Sequence, residues 1–187
     1  MKFFKILFVL NAFLLFSCNS KIVTTQKSYY TEIGKIKNDK KTGRWKYLFE
    51  DGKIFQIGRF KNNLETGKWK IYHPNGALRQ IGKFKNGKID GLWKFYHENR
   101  NLYGIGNANE GDFESDWKWF FENGQIHTIR NYNKGKLISV DFTKNFKGQN
   151  IEKGTIENGA GTLIIYETQT LKDSIITTLN YENGQIK

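Results

Sequence analysis

A 24-residue interval governs this chain. Trp45, Trp69, Trp93 and Trp117 recur at that interval, and Gly34, Gly58, Gly82 and Gly106 keep the same spacing, as do Ile33, Ile57, Ile81, Ile105 and Ile129. Gly43, Gly67 and Gly91 each stand two positions before their tryptophans, with Ser115 in that place in the fourth copy. The unit reads Ile-Gly-x-Phe-x-Asn-x(4)-Gly-x-Trp-x-x-Tyr-x-x-Asn-Gly. A period of this length marks a repeat array, in which each unit buries its apolar face against its neighbours.

Turn dipeptides divide each unit. Asn38-Asp39, Asp51-Gly52, Asn62-Asn63, Asn75-Gly76, Asn86-Gly87, Asn99-Arg100, Glu110-Gly111, Asn123-Gly124 and Lys134-Gly135 alternate at spacings of 13 and 11. Asn-Gly and Asp-Gly between apolar runs signal type I′ hairpin turns, because both central residues need positive φ. Strands of about eight or nine residues fill the intervals. The expected fold is all-β, an antiparallel meander of roughly ten strands. A single proline against 19 glycines, with 16% aromatic residues, suits such a strand-and-turn chain.

Reading Asp51-Gly52 as a two-residue loop puts Trp45 opposite Gly58. The same rule sets Trp69 opposite Gly82, Trp93 opposite Gly106 and Trp117 opposite Arg130. A large ring across a cross-strand glycine covers bare backbone, and the fourth pair invites an indole–guanidinium stack. Alternation along the strands then gives two faces. One carries the tryptophans with Tyr47, Phe60, Ile71, Phe84, Phe95, Trp119 and Tyr132, joined near the turns by Leu78, Leu102 and Ile126. The other carries a ladder of Lys46, Lys70, Lys94 and Lys118 beside Leu48, Tyr72, Tyr96 and Phe120.

The N-terminus reads as a leader. Lys2 and Lys5 precede an apolar stretch from Ile6 to Phe16 that is too short to span a bilayer, which takes roughly 20 residues. Leu15-Phe16-Ser17-Cys18 resembles the lipobox of bacterial lipoproteins, which implies a signal peptide over 1–17 and a lipid on Cys18. The alternative is an ordinary signal peptide cut near Ser17. Cys18 is the one cysteine, so no internal disulfide can form. Residues 18–31, polar and without sustained period, are expected to act as a flexible tether. The lipoprotein resemblance implies a lipid-anchored place in the bacterial cell envelope, expected at the outer membrane, on its periplasmic side or surface, because Asn19 after Cys18 avoids the aspartate that retains lipoproteins in the inner membrane of some bacteria; the membrane and leaflet stay open. The formal charge of +12 favours acidic partners, although an envelope location speaks against nucleic acid.

Four repeats occupy 32–137. Over 138–187 the period weakens to irregular strands, with Gly154 to Lys187 expected as a degenerate fifth unit that caps the array. The Gly-x-Trp-x-x-Tyr-x-x-Asn-Gly pattern resembles the MORN-repeat variant of bacterial proteins of the YwqK-type antitoxin family. The resemblance covers Ile33 to Leu137 well. It implies an elongated, curved, mostly single-layer sheet with a binding role and no catalytic residues.

Three constellations compete with plainer readings. The lysine ladder with adjacent aromatics suits an anion-binding or partner-binding strip, or else it keeps a thin sheet soluble and unaggregated. Glu110, Asp112, Glu114 and Asp116 alternate along one strand and could serve Ca²⁺, though their spacing of roughly 6.6 Å is loose for one ion. His73 and His97 occupy equivalent positions without the further ligands a metal needs, and His127 stands alone. No nucleophile–base pair, carboxylate cleft or phosphate loop is legible. The expectation is therefore a non-enzymatic binding module with no cofactor, taking a protein partner in an antitoxin-like or immunity-like role. The alternative is an envelope structural protein whose basic face meets anionic lipid or glycan.

Overall fold

The computed structural model describes residues 20–27, 29–166 and 175–187. The expected leader and Cys18 lie outside the described residues. Twelve strands form one antiparallel sheet in sequence order: β1 (Ser20–Gln26), β2 (Thr31–Lys37), β3 (Lys40–Leu48), β4 (Ile54–Lys61), β5 (Leu64–Tyr72), β6 (Leu78–Lys85), β7 (Lys88–Tyr96), β8 (Leu102–Asn109), β9 (Asp112–Phe120), β10 (Ile126–Asn133), β11 (Lys136–Lys144) and β12 (Asn150–Ile151). A second sheet holds β13 (Gly161–Tyr166), β14 (Ile175–Glu182) and β15 (Gln185–Ile186). The all-β meander expected from the sequence is the fold observed.

Two kinds of turn alternate. At Asn38-Asp39, Asn62-Asn63, Asn86-Gly87, Glu110-Gly111 and Lys134-Gly135 both residues have positive φ, as a type I′ turn requires. The Asp51-Gly52 turn differs from the two-residue loop expected. Phe49 N–H donates to Lys53 O and Gly52 N–H to Phe49 O, so three residues make the loop, with Gly52 alone at positive φ. Asp51 Oδ1 accepts from Lys53 N–H at 3.0 Å, and Asn75, Asn99 and Asn123 accept in the same way. A bulge then follows, with Leu48 pairing Ile54 while Tyr47 pairs Gln56. The extra loop residue and the bulge offset one another, so Trp45 still meets Gly58, Trp69 meets Gly82, Trp93 meets Gly106 and Trp117 meets Arg130.

The bulge changes the faces near these turns. Leu78, Leu102 and Ile126 pair with Tyr72, Tyr96 and Phe120 and share the lysine face. Tyr103 and His127, in turn, reach the tryptophan side, where their rings lie 5.2 Å from Trp119 and 4.6 Å from Phe121 respectively.

The tryptophan face is a continuous run of edge-on rings. Trp45, Phe60, Trp69, Phe84 and Trp93 follow one another at centroid distances of 5.9, 5.2, 5.8 and 5.2 Å, each nearly perpendicular to the next. The edge-to-face arrangement sets positive ring edges on negative faces. Where the fourth copy replaces the phenylalanine by Ala108, Phe113 from the paired position stacks on Trp117 at 3.8 Å. In this way the aromatic face buries Trp45 and Trp117 fully.

The glycine under each ring is not the one expected. A β-carbon on Gly34 would meet Trp45, and one on Gly58 would meet Trp69; Gly82 and Gly106 stand likewise under Trp93 and Trp117. Each indole therefore lies on the glycine of the preceding strand rather than on that of the strand that follows. Arg130 then breaks no rule. The position where its covering tryptophan would stand is Asp141.

Two segment boundaries move. Ser20–Gln26, within the expected tether, pairs with β2 along its whole length, from Ser20–Lys37 to Gln26–Thr31. The run Ile22-Val23-Thr24-Thr25 is β-branched throughout, which favours a pleated strand, and Val23 packs on the Trp45 cluster. At the other end, β11 begins one full repeat interval after β9 and has the same nine-residue length. The fifth unit thus begins with β11, ahead of the Gly154 start expected, and β11 runs on into the stretch expected to be irregular. Its return strand is cut to the two residues of β12. Beyond it, Ile156, just before β13, and Leu163 of β13 are buried against Leu137 and Val140 of β11.

The I′ turns also bond to one another. Asn63, Gly87, Gly111 and Gly135 donate N–H to the carbonyls of Lys41, Glu65, Ile89 and Phe113 respectively, at 3.0 to 3.1 Å. Asn158-Gly159 continues the series, with Gly159 N–H on Ile138 O and Gly184 N–H on Gly159 O. The C-terminal sheet is docked through this line of turns.

Candidate functional site

The lysine ladder is half of a longer row. Across nine strands the register reads Ile33, Lys46, Ile57, Lys70, Ile81, Lys94, Ile105, Lys118, Ile129, each paired with the next. Isoleucine comes from every even strand and lysine from every odd one. With strands about 4.8 Å apart, successive lysines recur at about 9.6 Å. The aliphatic stems of the lysines lie between isoleucines while the ammonium groups reach solvent. Tyr72, Tyr96 and Phe120 border the row two positions along β5, β7 and β9, each half-buried. All seven residues expected on the binding face therefore fall on one surface of the sheet, with an isoleucine row among them that the expectation had left out.

His73 and His97 are bound into the frame. His73 Nε2 is 2.9 Å from Tyr96 O and His97 Nε2 is 3.0 Å from Phe120 O. Asn75 and Asn99 add bonds from Nδ2 to Glu98 O and Glu122 O, so these side chains tie successive hairpin turns together. The acidic run is dispersed. Glu114 accepts from Lys134 N–H, Asp116 accepts from Asn131, and Asp112 lies beneath the Gly135 turn. No group of three or more potential metal ligands occurs among the described residues.

The sequence reading missed a cavity at the end of the tryptophan face. It measures about 960 Å³ and lies among β8 to β11 on one side and Ile164, Ile165 and Ile176 of the C-terminal sheet on the other. Trp119, His127 and Arg130 line it. Among the described residues the cation–π contacts come from Lys41 and Lys144. Arg130 does not stack on Trp117 and contributes to the cavity wall instead. Burial, and secondarily the charge of Arg130, pulls the His127 pKa down to about 4, so the imidazole is neutral near pH 7. The available signal was departure from the repeat. Position 119 is Tyr47, Ile71 and Phe95 in the other copies, and position 127 is Phe55, Arg79 and Tyr103.

No curated protein matches the chain. Three stretches in phase with the repeat, residues 41–62, 65–86 and 113–134, match the model of the MORN repeat variant.

Proposed function

We propose that this chain is a non-catalytic binding module of the bacterial cell envelope, held there by a lipid on Cys18, that engages a protein partner through its lysine–isoleucine face. The observation that carries the reading is the nine-residue row itself. An array of apolar ribs alternating with mobile cations offers both burial and charge complementarity to a partner bearing spaced carboxylates. MORN-type repeats at three positions support a binding role. An anchor at Cys18 would stand two positions before β1 begins, which keeps the sheet close to the bilayer. Neutralisation of a bound toxin by occlusion, as the YwqK-type resemblance suggests, is the form of partner binding we favour.

The test is a pull-down from crosslinked cells with the full-length protein, run beside Cys18→Ser and a quadruple variant with Lys46, Lys70, Lys94 and Lys118 changed to Ser. Membrane fractionation should lose the Cys18→Ser protein, and the quadruple variant should lose a discrete protein partner. Recovery of only anionic lipid or glycan, released by moderate salt, would replace the protein partner with a structural role on the envelope.

A further inference from the structure

The cavity beside Trp119 has the features of a second binding site, apart from the lysine ladder although Phe120 borders both. Five indoles occur in the chain, and four are satisfied. Trp45, Trp69, Trp93 and Trp117 donate Nε1–H to the carbonyls of Thr42, Arg59, Lys83 and Asn107, at 2.9 to 3.2 Å. Among the described residues, Trp119 Nε1 and Arg130 Nε are buried without an acceptor. Buried donors of this kind are uncommon in native proteins, and both atoms are closed to solvent. Both residues line the same cavity.

The indole is also deliberately placed. A β-carbon on Gly104 would come within 2.6 Å of Trp119 Cε3, and the other copies hold Glu32, Gln56 and Gln80 at that position. Two linked departures from the repeat, glycine at 104 and tryptophan at 119, are thus needed to seat this ring. A third, arginine at 130, supplies the charge. Repeat packing requires none of them, since the first three copies fold without them.

The geometry points to a monocarboxylate with a long apolar body, of the fatty-acid class, whose carboxylate pairs with the Arg130 guanidinium while its chain lies against the Trp119 ring, between the aromatic and isoleucine walls. Among the described residues that line the cavity, Arg130 is the one with a permanent positive charge. Glu122 sits exposed at the rim, 3.9 Å from His97 Nδ1, and the neutral His127 adds no charge. Phe121, Phe146, Ile164 and Ile165 give the body an apolar wall on each side. The volume of about 960 Å³ is at the upper end of the roughly 300–1,000 Å³ usual for small-molecule sites.

Titration of the purified full-length chain with dodecanoate, kept below its micelle concentration and followed by tryptophan emission and calorimetry, tests this. Saturable binding at one site is expected, with dodecanol about tenfold or more weaker because it lacks the charge. Arg130→Gly restores the residue of the other copies and should weaken dodecanoate by about tenfold or more. Trp119→Phe, the third copy's residue, should weaken it by about fivefold, and Lys94→Ser on the opposite face should leave it unchanged. Thermal melts confirm that each variant is folded. Absence of dodecanoate binding, equal binding of the alcohol, or equal loss in Lys94→Ser and Trp119→Phe overturns the assignment.

Discussion

Trp93 rests on Gly82 so closely that a β-carbon at Gly82 would lie 2.1 Å from Cδ2 of the indole. The same relation joins Gly34 to Trp45, Gly58 to Trp69 and Gly106 to Trp117. Gly82→Ala should therefore expel the ring and destabilise the protein by about 3 kcal/mol, at the upper range for overpacking, seen as a melting temperature lower by roughly 10 °C. Trp93→Ala should cost about 3–5 kcal/mol. The double variant should be little worse than Trp93→Ala alone, a coupling of about 2 kcal/mol in a double-mutant cycle. Additive losses would show that the contact is not the reason for the glycine.

Arg130 occupies the equivalent position with no tryptophan on the following strand to cover it, and its expected response is the opposite. Arg130→Gly should change the melting temperature by less than about 2 °C, about 0.5 kcal/mol, because removal of a buried unpaired donor offsets the cost of glycine in a strand. A large loss would mean that the guanidinium holds the C-terminal sheet in place.

Ser115 has φ of 59°, in the left-handed region where Gly43, Gly67 and Gly91 stand at the same point of the other copies. A side chain there costs about 1–2 kcal/mol relative to glycine. Ser115→Gly is expected to stabilise the protein by about 1 kcal/mol, with a melting temperature about 3 °C higher. Denaturant unfolding should show a shifted midpoint at unchanged slope.

His127 supplies a pH dependence. Its pKa is about 4 in the folded protein against about 6.5 in an unfolded chain, so between those values the unfolded state binds the additional proton. Stability from keeping this imidazole neutral is complete above about pH 6.5 and is lost as pH falls toward 4. The whole effect is at most about 3 kcal/mol. His127→Phe, which restores the residue of the first copy, should flatten this part of the profile. Equal acid sensitivity in the two proteins would place the titrating group elsewhere.

Much of the architecture could be read from spacing alone. The strand pairs about Trp45, Trp69, Trp93 and Trp117 follow from the turn dipeptides, because a strand face is lost by a one-residue slip. The turn types were harder, since Asn86-Gly87 is a two-residue I′ loop and Asn75-Gly76 is part of a three-residue loop. The same dipeptide serves both, and the compensating bulge leaves no residue signature of its own. Trp45, Trp69 and Trp93 have glycines on both sides, so the direction of their lean was ambiguous until Trp117, with Gly106 on one side and Arg130 on the other, was considered together with Asp141. The cavity depends on how β13 and β14 fold against β11, a contact between segments far apart in sequence, and so no local pattern announced it.

The line of I′ turns has a genetic consequence. Its hydrogen bonds join equivalent points of neighbouring units, so excision or duplication of a whole unit between β3 and β7 preserves the turn-to-turn bonding. Unequal crossing-over between copies could therefore lengthen or shorten the sheet while each product remains foldable. An insertion or deletion that misses the repeat length by a single residue would instead bring a side chain beneath an indole that tolerates only glycine. Selection on such a gene acts on length in steps of one unit, and the reach of its basic face can evolve separately from the cavity beside Trp119.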